Sequence, residues 1–239
     1  MSDSDPLLKE EENEYVIESK IDNLIRKGFI HKVYSLLLIQ LAITFGFVVL
    51  ANEIKIISHF IISHFVIYIL MVFVPFIILI YFIIKPEKAR QVPINYILLF
   101  IFCFSEAYTL ARFTFGFKKQ SIYFSMLLTL IAVLTLTIYA FKTKKDFTIL
   151  GGTLFVILAL LIIGELLNIF IFKVKLLYLV YNILGIGLFS VYIIHDTQLI
   201  IGGKTFQLSE DDYILAVINL YLDIIILFID ILSACGKRQ

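Results

Sequence analysis

The sequence predicts an all-α integral membrane protein, a bundle of seven spanning helices. Composition is the first reason: 61% of the 239 residues are hydrophobic, against roughly half in a soluble domain. Charge is the second, at 16% of residues, where about a quarter is ordinary. The third is pattern. Seven apolar runs, each near the ~20 residues that cross a bilayer, alternate with short polar connectors. Lipid offers no partner to a free backbone group, so each run is expected to be a helix.

Taken in order, residues 1–28 form an acidic head. Its stretch "SDSDPLLKEEENEYVIE" is too polar to bury a core and is expected to be disordered. The start lacks the basic end and apolar core of a cleavable signal peptide, so the first span is expected to act as an uncleaved signal. Residues 29–239 then hold the spans, at 33–52, 60–84, 94–115, 121–141, 147–172, 176–201 and 213–235. "KPEKARQVP", "KTKKD" and "GGKTFQLSED" are the clearest connectors. Basic residues concentrate at alternate ends: Arg26, Lys27 and Lys32, then Lys85, Lys88 and Arg90, then Lys142, Lys144 and Lys145. That bias places the N-terminus in the cytosol. The closing "GKRQ" then falls on the far side, unless the last segment is re-entrant.

A net charge of +1 gives no reason to expect a nucleic-acid partner. The two cysteines, Cys103 and Cys235, have no metal-ligand spacing and read as reduced thiols. His59 and His64 lack further ligands nearby, so no metal site is expected there. No cofactor is expected.

The informative residues are the acids inside the spans: Glu106, Glu165, Asp196, Asp223 and Asp230. Each costs about 2.5–3.5 kcal/mol at the bilayer centre on insertion scales, so they should face the bundle interior. By position, Asp223 and Glu106 lie near the midplane and Asp196 in the inner half. Glu165 and Asp230 lie in the outer half. A ladder of carboxylates opposed only by Arg112 suits a cation or proton route. Arg112 itself reads as snorkelling to the surface. Asn219, Asp223 and Asp230 share one face of the last helix, and Asn182, Gly185, Phe189 and Asp196 share one face of the sixth. Should Asp196 and Asp223 meet, the two carboxylates share a proton and titrate together. The plainer alternative is that each acid only glues helices by hydrogen bonding. His195 titrates in the physiological range, but neighbours on a helix point to different faces.

Five fragments in order resemble the transmembrane Bax inhibitor motif family, also called Lifeguard, and most of all its Golgi anti-apoptotic branch. They are "FIHKVYSLLLIQLAIT" at 29–44, "VPINYILLFIFCFSEAYTLA" at 92–111, "KKDFTILGGTLF" at 144–155, "YIIHDTQ" at 192–198 and "LSEDDYILAVINLYLDIIILF" at 208–228. The resemblance implies a seven-helix bundle of the Bax inhibitor type. It also implies an acid pair from the last two helices, matched here by Asp196 and Asp223. That pair is implicated in a pH-sensitive calcium leak of an intracellular membrane, Golgi or endoplasmic reticulum, which lowers store calcium and modulates cell death. Calcium would be the permeant ion, held weakly and transiently by Asp196 and Asp223. The family's basic latch falls in the loop carrying Arg90 and Lys88. Expected partners are the bilayer, calcium ions and membrane-bound cell-death regulators, and the resemblance leaves the oligomeric state open. The sequence departs from the family at Ile226, where Asn is usual. It departs also at Asp230 and Glu165, usually uncharged, and at His195, usually Tyr or apolar.

Two other readings compete. One is a non-conducting interaction protein with a structural role for the acids, the acidic head being its partner segment. The other is an intramembrane aspartyl protease, whose paired Asp also come from consecutive helices. The contexts "HD" and "LYLD" lack the Gly-x-Gly-Asp and Pro-Ala-Leu patterns of those proteases, so no enzyme is expected.

Overall fold

The computed structural model of the chain describes residues 6–239. Its helices are α1 (Pro6–Glu53), α2 (Lys55–Ser63), α3 (Phe65–Ile84), α4 (Pro86–Arg90), α5 (Ile94–Thr114), α6 (Lys119–Lys142), α7 (Gly151–Leu167), α8 (Lys175–Ile201) and α9 (Tyr213–Cys235). Among the described residues, seven helices are long and apolar enough to cross a membrane, matching the seven runs read from the sequence. A division at residue 28 is an expectation of the sequence; the backbone is helical on both sides of it from Pro6 onward. Residues 1–5 of the acidic head lie outside the described residues, as do the side chains up to residue 16.

Local chemistry explains the element ends. Pro86 opens α4 at a position where a missing N–H costs nothing. Gly202 and Gly203 close α8 at φ of 77° and 71°, a left-handed region that favours glycine. Past α7, the Asn168 side chain closes a wide turn, accepting the Val174 N–H at 3.0 Å and donating to the Val174 carbonyl at 3.3 Å. The run read as one span over 60–84 is divided. The chain breaks at His64, with φ −105° and ψ 68°, and His64 Nδ1 lies 2.8 Å from the Phe60 carbonyl. Only the polar pair Ser63–His64 interrupts the apolar run at that point, too short an interruption to divide a span read by hydropathy over its whole length.

Burial separates one helix from the rest. In the span of α9, 67% of the apolar window is buried, against 50% for α5 and only 11% for α7. α8, α1, α6, α5 and the short α4 pack directly against α9. Polar side chains join them across their interfaces. Thr44 and Tyr221 hydroxyls meet at 2.8 Å, Asn95 donates to the Tyr213 hydroxyl at 2.6 Å, and Asn52 donates to Thr114 at 2.9 Å. Such bonds between spanning helices contribute about 0.6 kcal/mol each. The outward faces of α3, α6 and α7 carry exposed Ile, Leu and Phe, a surface suited to lipid tails.

The last helix runs from one face of the bundle to the other. Its start lies beside Arg26 of α1, through the adjoining loop. Its end lies against the α5–α6 turn, where Lys118 N–H donates to the Lys237 carbonyl at 2.9 Å and Gln239 N–H to the Gly116 carbonyl at 3.1 Å. Glu53, at the far end of α1, shares that side, bound by Lys119 at 3.0 Å and Tyr123 at 2.5 Å. From Arg26 to Glu53, at 1.5 Å per residue, α1 spans roughly 40 Å, more than a hydrocarbon core. The N-terminal part of α1 and the C-terminus therefore lie on opposite faces of the bundle.

Candidate functional site

The antiparallel pair α8 and α9 forms the site because both helices turn their acids inward. Asp196 and Asp223 are 7% and 6% exposed. Their carboxyl groups lie close enough across the α8–α9 interface to interact. Asp223 Oδ2 is fully enclosed and has no protein partner among the described residues. His195, also buried, places Nδ1 2.6 Å from Asp196 Oδ1. Opposite an ionised Asp196 the oxygen accepts and this nitrogen is the donor. Sequence reasoning set His195 on another face of the helix. In the structure the short aspartate side chain folds back to reach the ring of its neighbour. Tyr192, one turn earlier, packs edge-on against that ring with centroids 6.4 Å apart.

The loops around the pair are pinned from three directions. Gln198, half a turn past Asp196, accepts the Phe147 N–H at 2.8 Å and donates to the Lys145 carbonyl at 2.9 Å. Asp146, in the same α6–α7 turn, accepts from the Thr148 hydroxyl at 2.6 Å and from the Thr205 N–H at 3.0 Å. Those bonds, Thr148 first, hold its carboxyl well below the usual carboxylate range. Arg26 supplies the second tie. Its guanidinium donates to the carbonyls of Leu199 at 3.0 Å, Ile201 at 3.1 Å and Leu208 at 2.6 Å, and to Glu210 at 2.8 Å. It thereby satisfies carbonyls that the end of α8 leaves free and complements the negative end of the helix. A Cβ on Gly202 would sit 2.7 Å from this guanidinium. The third tie is Arg90, which grips Asp212 with two bonds of 2.8 and 3.0 Å. That carboxylate raises the Arg90 pKa. Lys88 instead binds Gln91 at 2.7 Å. In the sequence Arg26 is only one of several basic residues; its contacts lie more than 170 positions away, and no local pattern reports them.

The remaining acids do not join the pair. Glu106 on α5 is half-buried and lies near Cys103 and Tyr221. Asp230 faces Glu165 of α7 across a cavity of about 140 Å³, which Tyr181, Asn182 and Gly185 also line. Its carboxyl occupies the space a side chain at 185 would need, and Asp230 Oδ2 has no partner among the described residues. Asn219, expected to share the polar stripe of α9, is exposed. Arg112 pairs with no acid among the described residues and lies 6.0 Å from the Tyr68 ring. Cys103 and Cys235 are free thiols, and no cluster of three metal-ligating side chains occurs among the described residues.

The fold and the paired acids define a multi-pass membrane protein with carboxylates buried in an otherwise largely apolar bundle. Comparison with known proteins specifies it further. The family model "Inhibitor of apoptosis-promoting Bax1" (Bax1-I) matches residues 26–239, and the chain belongs to that family. It is 29% identical to protein lifeguard 3 of Homo sapiens over 221 residues, covering 91% of this chain and 71% of the relative. The Mus musculus lifeguard 3 is 27% identical, with 91% and 72% covered. The Golgi anti-apoptotic protein of Vaccinia virus (strain Lister) is 34% identical over 209 residues, with 87% and 85% covered.

Proposed function

We propose that this protein is a pH-sensitive cation leak of an intracellular membrane, with calcium as the permeant ion. By letting calcium escape, it lowers the store and restrains cell death. The observation that carries the reading is the meeting of Asp196 and Asp223, with one enclosed oxygen of Asp223 unpartnered. Carboxylates without a fixed cation attract a passing one, and a shared proton removes part of that attraction. Two carboxylates are too few ligands to cage calcium, which takes 6–8 oxygens, so an ion is held weakly and released. Glu106, Asp230 and Glu165 extend the acidic character of the route.

The names of the relatives support an anti-apoptotic role, and one supports a Golgi-type membrane. The basic ends favour a cytosolic N-terminus. Arg90 is the better latch of the two candidates, because it binds the loop leading into α9 while Lys88 binds its own turn. We read the protein as a conduit and not as an enzyme, since the contexts of Asp196 and Asp223 lack the protease patterns.

The test is calcium flux into liposomes holding the purified full-length chain, between about pH 6 and 8, the range in which such a switch would act. Wild type should show flux that varies with pH, and Asp223→Asn should abolish that variation. A non-conducting interaction protein would give no flux above empty liposomes in either case.

A further inference from the structure

We propose that His195 is a positioning residue for the acid pair: its Nδ1–H fixes the Asp196 carboxyl so that the group faces Asp223. This rests on the leak reading above.

A carboxyl group turns freely about its last bond, and a hydrogen bond to one oxygen fixes where the other points. Here Oδ1 of Asp196 is held at 2.6 Å by His195, and the group meets Asp223 across the helix interface. The imidazole is itself held. Tyr192 stands edge-on to it. On its far side is Gly151, the first residue of α7, where a Cβ would lie 3.1 Å from Nε2. Absence of a side chain at 151 thus makes room for the ring. The turn before Gly151 is tied back to α8 through Gln198, so the support of the ring and the helix bearing it are fastened together. Ligand groups at ion sites are commonly aligned by such outer partners. A phenylalanine would fill the same space without a donor. Asparagine offers an N–H near the position of Nδ1 but is too short to reach Gly151.

The experiment measures calcium flux in liposomes holding the full-length chain, with Asp223→Asn as the control for the leak itself. His195→Phe should lower flux about tenfold, the size of one lost hydrogen bond to a charged group, while His195→Asn stays near wild type. Gly151→Ala should lower flux when His195 is present and have no effect beside His195→Asn. Equal flux in His195→Phe and wild type would overturn the proposal, as would equal losses in the Phe and Asn variants. If His195→Phe does not fold, the Gly151→Ala comparison decides: the same loss in both backgrounds rejects the proposal. If Asp223→Asn changes nothing, the leak reading falls and this inference with it. A normal control effect with an inert His195 rejects only the inference.

Discussion

Two pairs of acids lie about 10 Å apart along α9, by the rise of a helix over seven residues, and their surroundings differ. Asp223 meets Asp196 where the most buried helix packs on α8. Asp230 meets Glu165 across a cavity against α7, the least buried span, and Glu165 is exposed. The inner pair is enclosed, oriented by His195 and framed by loops fastened at Gln198, Arg26 and Arg90. Among the described residues the outer pair has only a cavity, with Gly185 making room for one carboxyl. Residue type alone would rank the four acids equally. On the leak reading, enclosure and orientation separate a group placed to govern passage from one that at most lines the way.

The largest expected difference comes from neutralising each pair. Asp223→Asn should remove the pH response of calcium flux, whereas Asp230→Asn should leave the response in place and reduce flux only in part. Equal effects would erase the distinction between inner and outer acids.

Next is Arg26→Ala, which takes the guanidinium donors from three carbonyls and Glu210 and leaves the Leu199 carbonyl only the Leu208 N–H. We expect a loss of roughly 2 kcal/mol, from hydrogen bonds to a charged group, seen as a lower unfolding temperature in detergent. Faster proteolysis of the 202–209 loop should accompany it. Arg26→Lys should recover only part, because an ammonium cannot reproduce the fork of donors.

On the outer side, Gly185→Ala would drive a methyl into the Asp230 carboxyl. Overpacking of this kind costs about 1–3 kcal/mol, measurable by the same thermal unfolding. Beside Asp230→Ala the cost should largely vanish, which would place the strain at the outer pair.

Smaller effects are expected at the loops. Arg90→Gln removes a solvent-screened ion pair and should barely move the unfolding temperature, so a clear change in flux without one in stability would mark it as a latch and not a brace. Asp146 has a depressed folded pKa. Its contribution is therefore complete above the unfolded value near 4 and is lost as pH falls through the folded value. Hydrogen exchange at the Thr205 amide should be slow at neutral pH and accelerate only in strong acid. Asp146→Asn should make it faster at neutral pH.

Much of this architecture was legible in the sequence because hydropathy dictates spans. All seven follow from apolar length, and the Asp196–Asp223 pair was an expectation of the family resemblance. The break at His64 was not legible, since only the short polar pair Ser63–His64 interrupts the run there. The His195–Asp196 bond was hidden because helix geometry sends neighbours apart, and only side-chain conformation brings them back. Arg26 was hidden by distance along the chain: its partners are backbone carbonyls, which leave no mark in residue identity. The Glu165–Asp230 meeting depends on how α7 leans on its neighbours, which no periodicity specifies.

The central claim is that Asp196 and Asp223 act as one gate. Calcium flux across liposomes holding Asp196→Asn, compared with wild type between about pH 6 and 8, tests it most directly. The account predicts that the variant loses the pH dependence seen in wild type, as Asp223→Asn does. Flux of unchanged size with an unchanged pH response would contradict it.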